Sequence, residues 1–346
     1  MGGKINSLDF KTTEREIAMP IKLFFDKTEE KKHKKIFSFL GFSYIFSYAL
    51  ACLLAGAIAF VAFLIYYLNE YQADFFNDPN FLMLLSSFLT ICSTIFLSLF
   101  LKRKPAVKVV RRSLSGKSFA SFIFISIGIG TLLNILTNAL ISVFSSAFDI
   151  QTMDRLEYMI NSTNFFVLFL TVGILAPVFE EIFFRKLLCD RVIIYGEKTA
   201  VLLSGLMFGL FHGNLYQFFY AFGIGAVLAY MYCKTGKLRY CVITHMIINM
   251  TSVILIPLMK YYPQNIEAGF NVSWQFYLLV IFVAANYVAA FKGIYLLFKK
   301  IKKVRFLKGS ITIPDNKFFK TVFLNPGMTV FALLFLVVSV VTIIIK

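Results

Sequence analysis

Nine apolar runs divide this chain, and each must be placed away from water. They lie at about 36–68, 81–101, 119–147, 165–188, 199–213, 216–233, 239–259, 274–298 and 323–345. A helix needs about 20 apolar residues to cross a bilayer, and most of the runs reach that length. Hydrophobic residues make up 59% of the chain and charged residues 15%, against about 25% charged in soluble proteins. The chain therefore reads as all-α, a polytopic transmembrane helical bundle of about 8–9 membrane helices. Such a bundle is one unit, so the chain's length does not imply several separate domains. It falls into four stretches: 1–35 before the first run, three helices over 36–147, four runs over 165–259, and two helices over 274–345.

The net charge is +17, which raises nucleic acid as a partner. The distribution of the charge argues against it, because the basic residues cluster at the ends of apolar runs, as the positive-inside rule requires. The connection 102–118 carries Lys102, Arg103, Lys104, Lys108, Arg111, Arg112 and Lys117 with no acid. The connection 299–322 is similarly basic, with Asp315 as its one acid, and Lys234, Lys237 and Arg239 mark another basic turn. The alternate connections are acidic or nearly neutral, with Glu70, Asp74 and Asp78 in one and Asp149, Asp154 and Glu157 in another. This alternation predicts a multi-pass protein of the cell membrane with a cytoplasmic N-terminus and an external C-terminus. The weak point is 199–233, where Gly213-Asn214 splits two short runs into tight crossings, a tilted pair or a re-entrant turn.

The remaining flags are few. Cys52, Cys92, Cys189, Cys233 and Cys241 form no CxxC pair, so they read as small core residues rather than a disulfide or zinc framework. No cleavable signal pattern precedes the first run, and Asn6 breaks the myristoylation pattern after Met1-Gly2. An amphipathic surface helix is expected near Ile17–Phe25, and His33 is expected to sit on a solvated basic flank.

The chemistry starts inside the fourth run, at Pro177-Val178-Phe179-Glu180-Glu181-Ile182-Phe183-Phe184-Arg185. A charge at membrane depth costs roughly 2.5–3.5 kcal/mol on insertion scales, so three within six residues need a reason. On a helix Glu181 and Arg185 are four apart and share a face, so they can pair. Glu180 is rotated by about 100° and can point elsewhere. One carboxylate thus reads as structural and the other as left for work; the bland alternative is a Glu-Arg staple between helices with Glu180 snorkelling.

Two histidines lie in apolar runs. Phe208 and His212 are four apart, so the ring can pack beside the imidazole; His245 and Asn249 are also four apart and can jointly offer donors to one oxygen. Glu180 lies roughly 12 Å, and His245 roughly 9 Å, from the cytoplasmic ends of their runs at 1.5 Å per residue. His212 is deeper unless its helix begins below the membrane surface, near Tyr195.

Glu-Glu-x-x-x-Arg at Glu180–Arg185, Phe-x-x-x-His at Phe208–His212 and His-x-x-x-Asn at His245–Asn249, in that order, resemble the CAAX-protease and bacteriocin-processing family. These are intramembrane endopeptidases related to the type II CAAX prenyl protease, and the resemblance covers about 165–259. It implies that Glu180 activates water with help from His212, that His245 and Asn249 stabilise an oxyanion, and that Glu181-Arg185 orients the helix. Family members are described both as metallopeptidases and as glutamate-dependent peptidases. Glu180, His212 and His245 offer the one-Glu, two-His set of a hydrolytic zinc site. The expectation adopted is a site without cofactor, with zinc as the alternative. The implied partners are the lipid bilayer and a peptide or protein substrate. The Phe-, Lys- and Ile-rich, Trp-poor composition suits an AT-rich bacterium, which disfavours prenylated substrates and favours peptide maturation or self-immunity. Two other readings are a non-catalytic membrane scaffold of the same fold and a transporter with a proton-relay glutamate. A scaffold would be expected to have lost one of the four site residues; a transporter needs broken helices in corresponding halves.

Overall fold

A computed structural model describes residues 4–5, 27–68, 77–107, 109–148, 162–259 and 274–344. The Ile17–Phe25 stretch and most of the acidic connections lie outside the described residues. Among the described residues ten helices follow one another: α1 (Lys27–Leu68), α2 (Pro79–Leu101), α3 (Gly116–Phe148), α4 (Phe165–Tyr195), α5 (Glu197–Phe211), α6 (Leu215–Thr235), α7 (Leu238–Met259), α8 (Trp274–Ile301), α9 (Asp315–Val322) and α10 (Pro326–Ile344). A two-residue parallel pairing of Lys4–Ile5 with Ser113–Leu114 is the one described β element. The protein is an all-α, multi-pass membrane bundle.

Seven described helices, α1 to α4 and α6 to α8, are long and apolar enough to cross a membrane, and the bent pair α9–α10 adds an eighth if it is one broken span rather than a re-entrant loop. Eight is the lower end of the 8–9 membrane helices expected; counting all nine apolar runs as crossings gives one more. The difference is α5, whose 15 residues span roughly 22 Å at 1.5 Å each, short of a hydrocarbon core about 30 Å thick. Most of α5 is buried under its neighbours, so its apolar character reflects an interior position rather than lipid contact. It still runs away from the end where α4 finishes, and α6 returns beside it.

The 62° bend between α9 and α10 has a local cause. Asn325 donates its amide to the Thr321 and Val322 carbonyls (3.1 and 2.9 Å) and accepts the Met328 N–H at 3.1 Å. One side chain thus ends one helix and caps the next, with Pro326 at the first helical position.

The basic connections gather at one end of the bundle. Arg191 donates to the Leu101 carbonyl at 2.7 Å, the Arg112 N–H to Thr235 at 2.8 Å, and Lys317 pairs with Glu30 at 3.2 Å. Glu197 at the start of α5 pairs with Lys234 near the end of α6 and accepts the Leu307 N–H at 2.8 Å. The first helix begins at this end too, at Lys27 rather than near Ile36, supported by the four-apart pairs Glu29–His33 and Glu30–Lys34. His33 is buried, with Nδ1 2.8 Å from the Tyr195 hydroxyl. The solvated flank expected for it is thus corrected: the extra turns of α1 fold it against the end of α4.

Away from this end the helices meet through small residues and aromatic rings. A Cβ on Gly293 would lie 1.8 Å from the Phe124 carbonyl oxygen, and one on Gly327 would lie 1.9 Å from that of Ser38. Backbone-to-backbone approach of this kind is how membrane helices gain packing without a hydrophobic driving force. Tyr44, Phe183, Phe184, Phe211, Phe331 and Phe335 interlock at the centre, while α1, α3 and α8 expose Leu53, Phe60, Val143, Ile281 and Phe291 on surfaces suited to lipid. The five cysteines are free, and all but Cys52 are buried.

Candidate functional site

Pro177 governs the local geometry of α4. The Ala176 N–H reaches back to Thr171, and Pro177 has no N–H to offer the turn before it. The helix widens to a π form over Phe169–Leu175, and the Val172 carbonyl takes its donor from another helix, Asn249 Nδ2 on α7, at 2.9 Å. A second π stretch covers Ile182–Cys189. There Tyr44 Oη on α1 donates to the Phe183 carbonyl at 2.6 Å, and Ser204 Oγ on α5 to that of Phe184 at 3.1 Å. In lipid such freed carbonyls need partners from neighbouring helices, and π distortions recur at working sites. The α-helical turn Ala176–Glu181 lies between the two stretches and carries both glutamates.

The two carboxylates have different surroundings. Glu181 is fully buried, with Oε2 3.0 Å from Arg185 Nε, the pair that the spacing predicts. Arg185 is equally buried; its Nη2 donates to the Gly225 carbonyl at 3.2 Å and its guanidinium lies 4.7 Å from the centre of the Phe208 ring. The other oxygen of Glu181 accepts from His245 Nδ1 at 2.9 Å. A carboxylate beside arginine is an acceptor, so Nδ1 carries the proton, and His245 Nε2 is turned to Glu180, 3.8 Å from its Oε2. That gap is too long for a direct hydrogen bond. The Glu180 side chain is 17% exposed and that of Glu181 0%, so the first is the reachable one.

Phe208 is the hub of this arrangement. Its ring meets His212 edge-on at 4.8 Å and His245 at 5.6 Å, and it packs over Gly225, where a Cβ would lie 2.8 Å from Phe208 Cδ1. His212 donates from Nδ1 to the Phe208 carbonyl at 2.7 Å. It makes no hydrogen bond or ion pair with Glu180 or His245 among the described residues; the Phe208 ring links the two imidazoles. Asn249 and His245 share a face of α7, yet their partners differ, Val172 for one and Glu181 for the other. The carbonyl freed by Pro177 takes the Asn249 amide.

Among the described residues, no group of three or more His, Cys, Asp or Glu side chains is arranged to hold a metal ion. His212 spends Nδ1 on its own helix carbonyl, the bond that turns the other ring nitrogen, Nε2, toward a further partner. Sequence reasoning did not find Val172, Tyr44, Ser204 or Gly225 as supports of the site. The signal for the first was present in Pro177; the others show only when helices distant in sequence are packed together.

Comparison with known proteins bears on residues 162–251, which match the family described as type II CAAX prenyl endopeptidase, Rce1-like. The chain is similar to a presumed membrane peptidase of Bacillus subtilis (strain 168), YdiL, 30% identical over 87 residues, 24% of this chain and 34% of that protein. It is also similar to an uncharacterized protein of Mycoplasma capricolum subsp. capricolum, 34% identical over 117 residues, 32% of each chain. The matched stretches thus span about a third of these relatives. No solved structure matches.

Proposed function

This chain carries, at residues 162–251, a domain of the Rce1-like CAAX-protease family of membrane peptidases, and on that premise we propose that it is an intramembrane endopeptidase. Glu180 is the general base: it takes a proton from water, the oxygen so activated attacks a peptide carbonyl, and the proton is then passed to the peptide nitrogen as the C–N bond breaks and the amine leaves. His245, oriented by Glu181, presents Nε2 beside it and shares the proton. His212 and Phe208 wall the same space and position water. Asn249 acts chiefly through the helix carbonyl it caps. The substrate is a membrane-associated peptide or protein, the basic end of the bundle faces the cytoplasm, and the chain resides in the cell membrane. Peptide maturation or self-immunity is the preferred role.

The observation that carries this reading is the position of His245 between two unequal carboxylates, 2.9 Å from Glu181 and 3.8 Å from Glu180. Two glutamates face one arginine, so the cluster has one more carboxylate than fixed cations. Glu180 and His245 Nε2 are close enough for one bridging water to pass a proton between them. Positioned proton transfer of this kind contributes typically 10²–10⁴-fold in rate.

The test is cleavage of quenched fluorescent peptides, lipidated and unlipidated, by the full chain in proteoliposomes. Wild type is expected to cleave members of the set, Glu180→Ala to lose turnover, and a chelator to leave turnover unchanged. Loss of turnover with chelator, restored by added zinc, would overturn the metal-free site. A wild-type protein inert on all peptides, with Glu180→Ala unchanged in stability, leaves the scaffold reading in its place.

A further inference from the structure

At the basic end of the bundle, a cavity of about 470 Å³ is lined by Arg111, Lys186, Tyr232, Gly236, Lys237, Leu238 and Arg239. Its cations come from three separate segments: the α2–α3 connection, the last third of α4, and the α6–α7 turn. Lys186 has a carboxylate partner, Asp190, which also accepts from the Tyr232 hydroxyl at 2.8 Å. Arg111, Lys237 and Arg239 pair with no carboxylate among the described residues. Three like charges lining one cavity repel one another, and an anion among them removes that cost.

The cavity is also built in advance. The α2–α3 connection is stitched to the α6–α7 turn by Arg112 N–H to Thr235 O (2.8 Å), Lys237 Nζ to Ser113 Oγ (2.6 Å) and Leu114 N–H to Tyr240 Oη (3.2 Å). Gly236 turns the chain at φ +58°, and a Cβ there would lie 2.6 Å from the Val109 carbonyl oxygen, so the two segments are held in contact at glycine. A pocket fixed before its ligand arrives binds without a large ordering cost.

We propose that this cavity binds a phosphate group, and that its source is the headgroup of an anionic phospholipid. The cavity lies where α3, α6 and α7, all candidate spans, begin or end, at the level at which headgroups lie. Basic pockets between membrane helices hold phosphate headgroups by this chemistry, and arginine forks suit phosphate oxygens. The site is independent of the peptidase reading, since it contains no residue assigned to the cleavage chemistry.

The test uses the full chain in phosphatidylcholine nanodiscs, with and without phosphatidylglycerol, read by native mass spectrometry for retained lipid and by thermal unfolding. Wild type retains phosphatidylglycerol and unfolds at higher temperature in its presence. Arg111→Gln with Arg239→Gln lowers retention by roughly 30-fold and abolishes the rise; Lys299→Gln with Lys302→Gln, the same change in net charge outside the cavity, leaves both intact. If the cavity double variant does not fold, Arg111→Gln alone, at a residue that pairs with no carboxylate among the described residues, must show the loss. Equal loss in the two double variants, or no preference in wild type, overturns the site. Inorganic phosphate that reproduces the thermal rise in phosphatidylcholine alone, through Arg111 and Arg239, overturns the lipid as its source.

Discussion

Glu197 and Glu181 are both buried, both pair with a cation, and both accept a hydrogen bond from a further donor, yet only one of them stands beside a second carboxylate. At the basic end, Glu197 takes Lys234 and the Leu307 N–H; one negative and one positive charge face each other, and a connecting loop is held down. Inside α4, Glu181 takes Arg185 and His245, and Glu180 remains, reachable and short of a direct hydrogen bond. The first region is complete as it stands. The second holds one carboxylate more than its fixed cations. A buried ion pair whose charges are all matched asks for no further partner; an excess carboxylate inside a membrane helix does, and such groups mark working sites.

The comparison can be broken from either side. The largest expected effect is in the matched region: Lys234→Met leaves Glu197 buried and unpaired and costs about 3–5 kcal/mol of stability, while turnover per folded molecule stays near wild type. Thermal unfolding and activity normalised to the folded fraction measure the two separately, and loss of specific turnover would make this pair part of the site. Next comes Asn249→Leu. If its amide chiefly caps the Val172 carbonyl, the variant loses about 1–3 kcal/mol of stability. An unchanged unfolding temperature with turnover lost would instead support the oxyanion role. Phe208→Leu removes the arginine stack and both edge-on imidazole contacts, each aromatic contact being worth about 0.5–1.5 kcal/mol; turnover should fall more than stability, because both histidines lose their wall. Ser204→Ala should cost least, about 0.5–1.5 kcal/mol for one hydrogen bond, with turnover unchanged.

Much of this was legible in the sequence, and for identifiable reasons. The apolar runs mark the helices because lipid tolerates little else, and the four-residue spacings give Glu181–Arg185 and Phe208–His212 because both depend only on the geometry of one helix. His245 and Asn249 do share a face, as their spacing states, but spacing names a face and not a partner. Which carbonyl the amide meets depends on how α7 packs against the π stretch before Pro177. The Glu197–Lys234 pair and the contact of His33 with Tyr195 depend likewise on packing between segments far apart in the chain. The sequence left 199–233 open because an apolar run such as α5 looks the same whether lipid or protein covers it.

The central claim is that two adjacent glutamates do opposite work, and exchanging their losses tests it most directly. Glu180→Gln and Glu181→Gln are measured side by side in proteoliposomes for unfolding temperature and for peptide turnover per folded molecule. The account predicts that Glu180→Gln keeps the wild-type unfolding temperature and loses about 10²–10⁴-fold in turnover, while Glu181→Gln loses about 3–5 kcal/mol of stability as Arg185 is left unpaired. Wild-type turnover in Glu180→Gln, or a collapse in its stability equal to that of its neighbour, contradicts it.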